Sequence, residues 1–410
     1  MTALEATAPV VDSFATLRVV VARGLSSTAT FAVLPYLALV ILDNHLGSAS
    51  AAATMVGVYV LCLRAGGVIS APVVRLLSRS QPLPVLYFAA TVFLIASVVA
   101  IKLEYQLVLA AAALMANALS VAVANVLTKA TIAAEPDDCQ RVFGFGMLSR
   151  AINGGAAVGG LAGSFAVHYG PFSVLVPAAA LVAMASAFCV GLPRVSNNSV
   201  GVHVKVDGGD WPRRIGFVVS TAMVWLAYVQ FFAVLPIYAR GSSASEWIGA
   251  VFAINAIMIV ALQKFVLKRT ANLFATLSSQ WRVYLAACGC MATSLILLCA
   301  VRTHAWPVLF MAIILLTLSE LFWSPLLDAW TALVFGQRNL LAAYTITGLA
   351  WGGAEAAASS LSIPIAAGAI SSVPWYSALG ASGLILMIAA VCVKSTLIGD
   401  QATAARVSNA

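Results

Sequence analysis

Residues 317–330 read TLSELFWSPLLDAW, and they lie inside the longer run WPVLFMAIILLTLSELFWSPLLDAWTALVF at 306–335. The long run is apolar and long enough to cross a bilayer, with Glu320 near its middle. If Trp306 marks one membrane surface, fourteen residues at a rise of ~1.5 Å place Glu320 about 21 Å in, close to half depth. An ionised carboxylate is costly there, and the remedy is a proton or a nearby cation. A group that alternates between those two states can couple proton movement to other events.

Composition supports a membrane reading for the whole chain. Of 410 residues 62% are hydrophobic and 9% charged, and the mean hydropathy is +1.00. A soluble domain of this length needs more polar surface, so the expected class is an all-α, polytopic membrane protein. The net charge of +8 then reports topology and excludes nucleic acid as the expected partner. By segment, about sixteen of the 22 Lys and Arg fall on one face, which places both termini and the central loop in the cytoplasm. The seven cysteines show no external pair and no metal-ligand spacing, so neither a disulfide nor a metal nor a cofactor is expected.

Apolar spans are predicted at 14–42, 50–74, 84–102, 106–129, 142–168, 172–192, 215–239, 247–267, 283–301, 306–335, 341–370 and 375–395. The polar segment 193–213 is the one good boundary. It divides a bundle at 1–192 from a second at 214–396, with a cytoplasmic tail at 397–410. The halves repeat: Phe31-Ala-Val-Leu-Pro35 recurs as Phe232-Ala-Val-Leu-Pro236, and Gly57 has a counterpart in Gly249. Arg141 followed by Gly154-Gly155 is echoed by Arg338 followed by Gly352-Gly353. Two pseudo-symmetric six-helix bundles from a shared ancestor follow, with a pathway between them. In the fifth span Gly155, Gly159 and Gly163 recur every four residues and make a smooth stripe for close helix approach; such a stripe is usually packing, and packing against a partner that rocks is itself mechanism.

With these features assembled, the chain resembles the major facilitator superfamily, and within it the twelve-helix drug:proton antiporters. The superfamily's loop after helix 2 is matched at 74–82, VRLLSRSQP, which keeps Arg79 and carries Ser78 in place of aspartate. The antiporter pattern of helix 5 appears as Asn153-Gly-Gly155-Ala-Ala-Val-Gly159-Gly-Leu-Ala-Gly163, with Gly160 for proline. Leu318-Ser319-Glu320 followed by Pro325 is similar to the exporters' helix 10. The resemblance implies that Glu320 faces a central cavity and takes part in proton and substrate binding. It also implies that helices 2 and 11 pack together across the halves. On that geometry Arg64 and Glu355, both near half depth, are a candidate ion pair between the bundles.

Arg23 and Arg150, in the cytoplasmic third of their spans, are read as side chains that snorkel to the interface. Candidate cavity residues are Phe31, Tyr36, Asn117, Asn125, Trp225, Tyr228, Gln230, Phe231, Phe322 and Trp323. They make a mostly apolar site suited to an amphipathic or cationic organic molecule. The expected function is export of such a molecule in exchange for protons by a monomer in the inner membrane. The alternatives are nutrient import or a sensor that has lost transport. No motif of a membrane enzyme is present.

Overall fold

The computed structural model describes residues 13–43, 47–77, 81–102, 107–133, 138–192, 211–240, 242–269, 276–335, 340–370 and 374–408. Within them the chain forms twelve rods. α1 runs Ser13–Val33, passes a 3-10 turn at Leu34–Tyr36 and resumes as Leu37–Asp43. α2 is Ala49–Arg64 and, after a break at Ala65, Gly66–Leu76. α3 to α6 are Pro82–Lys102, Leu107–Ala133, Asp138–Val167 and Pro171–Cys189. α7 runs Trp211–Val229, a π-turn at Gln230–Val234 and Leu235–Ala239. α8 to α12 are Ile248–Arg269, Leu277–Leu298, Val301–Phe335, Leu340–Ala366 and Trp375–Ser408.

Among the described residues nine rods are long and apolar enough to cross a bilayer, and the chain is a multi-pass membrane protein. The three rods that fall short are α2, α5 and α11. They are rich in Gly, Ala and Ser because small residues are what close helix packing needs when lipid supplies no hydrophobic drive.

The packing has an internal symmetry. In the first half α1 packs on α5 and α6, α3 on α4 and α6, and α2 on α4. Shifted by six, the same neighbours recur: α7 on α11 and α12, α9 on α10 and α12, and α8 on α10. Two seams join the halves, α2 on α11 and α5 on α8, and they are counterparts as well. Gly57 and Gly249, matched in sequence, occupy matched places: a Cβ on Gly57 would lie 2.8 Å from Ser360 Oγ across one seam, and one on Gly249 would strike Ser164 across the other.

Several boundaries depart from the sequence reading. α9 begins at Leu277, not 283, because Thr276 and Ser279 form a capping box. α10 begins at Val301, so the expected turn at 302–305 is helical. α12 runs on through Ser408, where a tail was expected from 397. The glycine stripe of α5 packs within its own half. Cβ atoms at Gly155, Gly159 and Gly163 would collide with the backbone of Gly24, Thr28 and Ala32 on α1, in the same half. The α5 glycine that faces the other half is Gly160, against Phe252 of α8.

Candidate functional site

The repeated motif breaks both central rods. Proline lacks an N–H and its ring crowds the carbonyl four residues back, so an α-helix cannot pass through Pro35 or Pro236 undisturbed. α1 answers by tightening to a 3-10 turn, α7 by widening to a π-turn. These two irregular segments touch each other, and around them Phe31 meets Phe232 edge-on at 6.5 Å. Phe232 stacks on Phe252 at 5.2 Å, and Tyr36 meets Phe252 at 6.3 Å while donating its hydroxyl to Gly160 O at 2.9 Å. The aromatic plug closes the space between the halves at the end of the molecule that carries the α1–α2 turn. Above it a cavity of about 230 Å³ is lined by Tyr36, His168, Pro236 and Arg240 among others.

Below the plug, Trp225 stacks on Trp351 at 5.4 Å and meets Trp323 and Tyr228 edge-on at 5.1 and 5.5 Å. Glu320 borders this cluster. Asn255 of α8 donates to Glu320 Oε2 at 3.3 Å and to Thr317 Oγ1 at 3.0 Å, and Thr317 in turn donates to Ile313 O at 2.7 Å. The Tyr228 hydroxyl lies within hydrogen-bonding reach of the same carboxyl. Among the described residues, neutral donors alone thus hold the acid.

The π-turn has a local consequence. It turns Gln230 inward, fully buried, where its Nε2 donates to Ser362 Oγ on α11 at 2.9 Å. Single π-turns inside helices recur at functional positions.

Arg64 is bidentate on Glu355, Nη2 to Oε1 at 3.0 Å and Nε to Oε2 at 3.3 Å, so the pair crosses the α2/α11 seam. Its guanidinium also lies over Trp225 of α7, 4.7 Å from the ring centroid. With α7 and α11 packed around it, the side chain still keeps 36% exposure.

The other sequence candidates divide. Phe31, Tyr36, Trp225, Tyr228, Gln230 and Trp323 gather around this space. Phe322, beside Glu320 in α10, is partly buried against the core. Asn117 does not join them: it donates to Ala90 O at 2.9 Å and accepts from Tyr59 at 3.3 Å, tying α2, α3 and α4 together. Phe231 is fully buried in the core. Asn125 is partly buried, with an enclosed Oδ1 that has no hydrogen-bond partner. Asn153 of α5 turns its amide back onto Ser149 O at 3.0 Å. Ser78 and Arg79 lie outside the described residues.

Arg150 is exposed, but Arg23 does not reach for the interface as expected. Its electrostatic neighbours are Tyr87 of α3 and Arg64 of α2, which puts it inside. Sequence reasoning also passed over Asn255, Thr317, Phe252 and Trp351. Asn255 was the most findable, as the lone amide within the apolar run IGAVFAINAIMIVAL.

No family model and no curated protein sequence matches the chain. Solved structures do. A peptide transporter POT in complex with sulfate superposes with a TM-score of 0.74 at 13% identity, over 93% of this chain and 94% of that one. A D-xylose-proton symporter gives 0.64 at 14% identity over 94% and 96%, and a nucleoside transporter 0.68 at 13% over 93% and 100%. The chain has the major facilitator fold. In that fold the two halves are related by an axis along the membrane normal, and sites lie near the midplane between them. In this chain Arg64 and Glu355 join the halves across the α2/α11 seam, and the Trp225 cluster and Glu320 lie beside them.

Proposed function

We propose that the chain is a proton-coupled secondary transporter that moves a hydrophobic or amphipathic small molecule by alternating access. The carrying observation is Glu320: an acid between the halves, held by Asn255 while the nearby cation Arg64 is committed to Glu355. With no fixed counter-ion among the described residues, its charge is balanced by a proton or by what enters the site. Both termini lie in the cytoplasm on this reading. The aromatic plug then closes the external side, and the partly accessible Arg64 and Glu320 face inward.

Export in exchange for protons is the first reading of direction, from the antiporter-like pattern of α5. Co-transport is the second, favoured by the likeness to a D-xylose-proton symporter. Sealed vesicles with an imposed pH gradient separate them. Proton movement that requires a supplied compound marks a coupled transporter, and its direction relative to that compound distinguishes exchange from co-transport. Neither species moving would leave a sensor. Glu320→Gln is expected to abolish gradient-driven accumulation while sparing insertion and counterflow, and full coupling in that variant would remove Glu320 as carrier. A growth screen with toxic compounds, with and without the protein, supplies the compounds to test.

A further inference from the structure

The polar groups around this site are unbalanced in a way that names the missing partner. Arg64 has its carboxylate, but among the described residues no carboxylate pairs with Arg23, whose charged neighbour is Arg64 itself. Two guanidinium groups therefore share one committed acid on the α1/α2 side. The Tyr87 hydroxyl lies beside Arg23 and the hydroxyls of Ser26 and Thr128. Yet none of those three buried oxygens completes a hydrogen bond of good geometry. Ser26 stands one helical turn from Arg23, on the same face of α1.

The opposite wall repeats the imbalance. Nε1 of Trp225 and of Trp323 is buried with no acceptor, and an indole N–H can only donate. Against these donors stand two unpartnered amide oxygens, on Asn125 and Gln230. Buried polar groups are normally paired, so with Glu320 carrying its proton the site has surplus donors and a surplus cation, and it is complete only with a ligand rich in acceptors.

Resting on the transporter reading above for where the substrate sits, we infer that the substrate carries an anionic head group, a carboxylate, sulfonate or phosphate. The head docks at Arg23 and its neighbouring hydroxyls, and the apolar body lies on the Trp225, Tyr228 and Trp323 rings. This narrows the sequence reading, which also admitted organic cations: with Glu320 protonated, a cation here would face Arg23 with no acid to offset it and leave both indoles unpaired.

The test is equilibrium binding to purified protein in detergent, read by tryptophan fluorescence. The probes are 3-phenylpropanoate and 3-phenylpropylammonium, which share one apolar body and carry opposite heads. The carboxylate is expected to bind at least about tenfold tighter, as a charge-assisted contact would give, and inorganic sulfate is expected to compete with it. Arg23→Gln should erase the preference and Arg23→Lys should keep most of it. Should Arg23→Gln fail to fold, Thr128→Val is expected to weaken the carboxylate alone. Equal binding of the two heads, binding of neither, or an undiminished preference in Arg23→Gln or Thr128→Val overturns the inference. Because no gradient enters the measurement, such a failure leaves the transport reading standing, and that reading falls only in the vesicle experiment.

Discussion

Gly352 and Gly353 are adjacent in sequence and opposite in consequence. A Cβ built on Gly352 would lie 2.6 Å from Arg64 Cγ, whereas one on Gly353 meets nothing within 4 Å. Gly352→Ala is therefore expected to push Arg64 off Glu355 and cost about 1–3 kcal/mol, the usual range for overpacking. Gly353→Ala should be neutral or raise stability by about 0.5–1 kcal/mol through helix propensity. Thermal unfolding in detergent compares them, and a Gly352→Ala protein as stable as Gly353→Ala would show that the seam yields. The glycine pair itself was legible from its echo in Gly154-Gly155. Which member touches the arginine was not, because adjacent helical residues differ by a rotation that only the partner's position resolves. The same limit explains the site residues. Glu320, Arg64 and Glu355 stood out because a charge in an apolar run is rare. Asn255 and Thr317 did not, since uncharged polar residues in such helices are common and usually structural. Arg23 was misplaced because depth along a helix says nothing of face, and the flanking Val19, Val20 and Val21 give α1 no polar side to read.

At the scale of the element, the repeated Phe-Ala-Val-Leu-Pro motif was legible as a repeat, while its opposite outcomes in α1 and α7 were not. A proline dictates that the helix must adjust, and the neighbours decide whether it tightens or widens. In α7 the extra residue of the π-turn sets the rotation of everything before it, including Gln230 and its bond to Ser362. If Pro236 acts by holding that rotation, Pro236→Ala and Gln230→Ala remove one shared interaction. Each is expected to lower stability by about 1–2 kcal/mol, and the double variant by no more than the larger single effect. Additive losses in a thermal double-mutant cycle would separate the proline from the glutamine. The α5 stripe makes a related point: its period of four announced close packing, but α1 and α8 both flank α5, and the spacing alone could not say which of them the glycines meet.

For the molecule as a whole, the six-helix symmetry of contacts means that motion of one half against the other must slide the α2/α11 and α5/α8 seams together. The second seam is lined by Gly160, Gly249, Ala157 and Ala253 against Phe252 and Ser164, which can slide at little cost. The first is not equivalent, since it carries Arg64 and Glu355. On the transporter reading proposed above, that asymmetry singles out the ion pair as the contact that would distinguish one arrangement of the halves from another. Removing one partner of a fully buried pair costs about 3–5 kcal/mol. Arg64 keeps 36% exposure, so solvent screening should hold the loss for Glu355→Gln below about 3 kcal/mol. A charge swap, Arg64→Glu with Glu355→Arg, is expected to recover part of that stability. Recovery should be incomplete because the swapped arginine leaves the face of Trp225, a contact worth about 0.5–2 kcal/mol. Substrate counterflow in vesicles should follow the same order, with both single charge reversals slow and the swap restored in part. A swap no better than either single reversal would show that the two side chains act separately and that the halves are not latched at this seam.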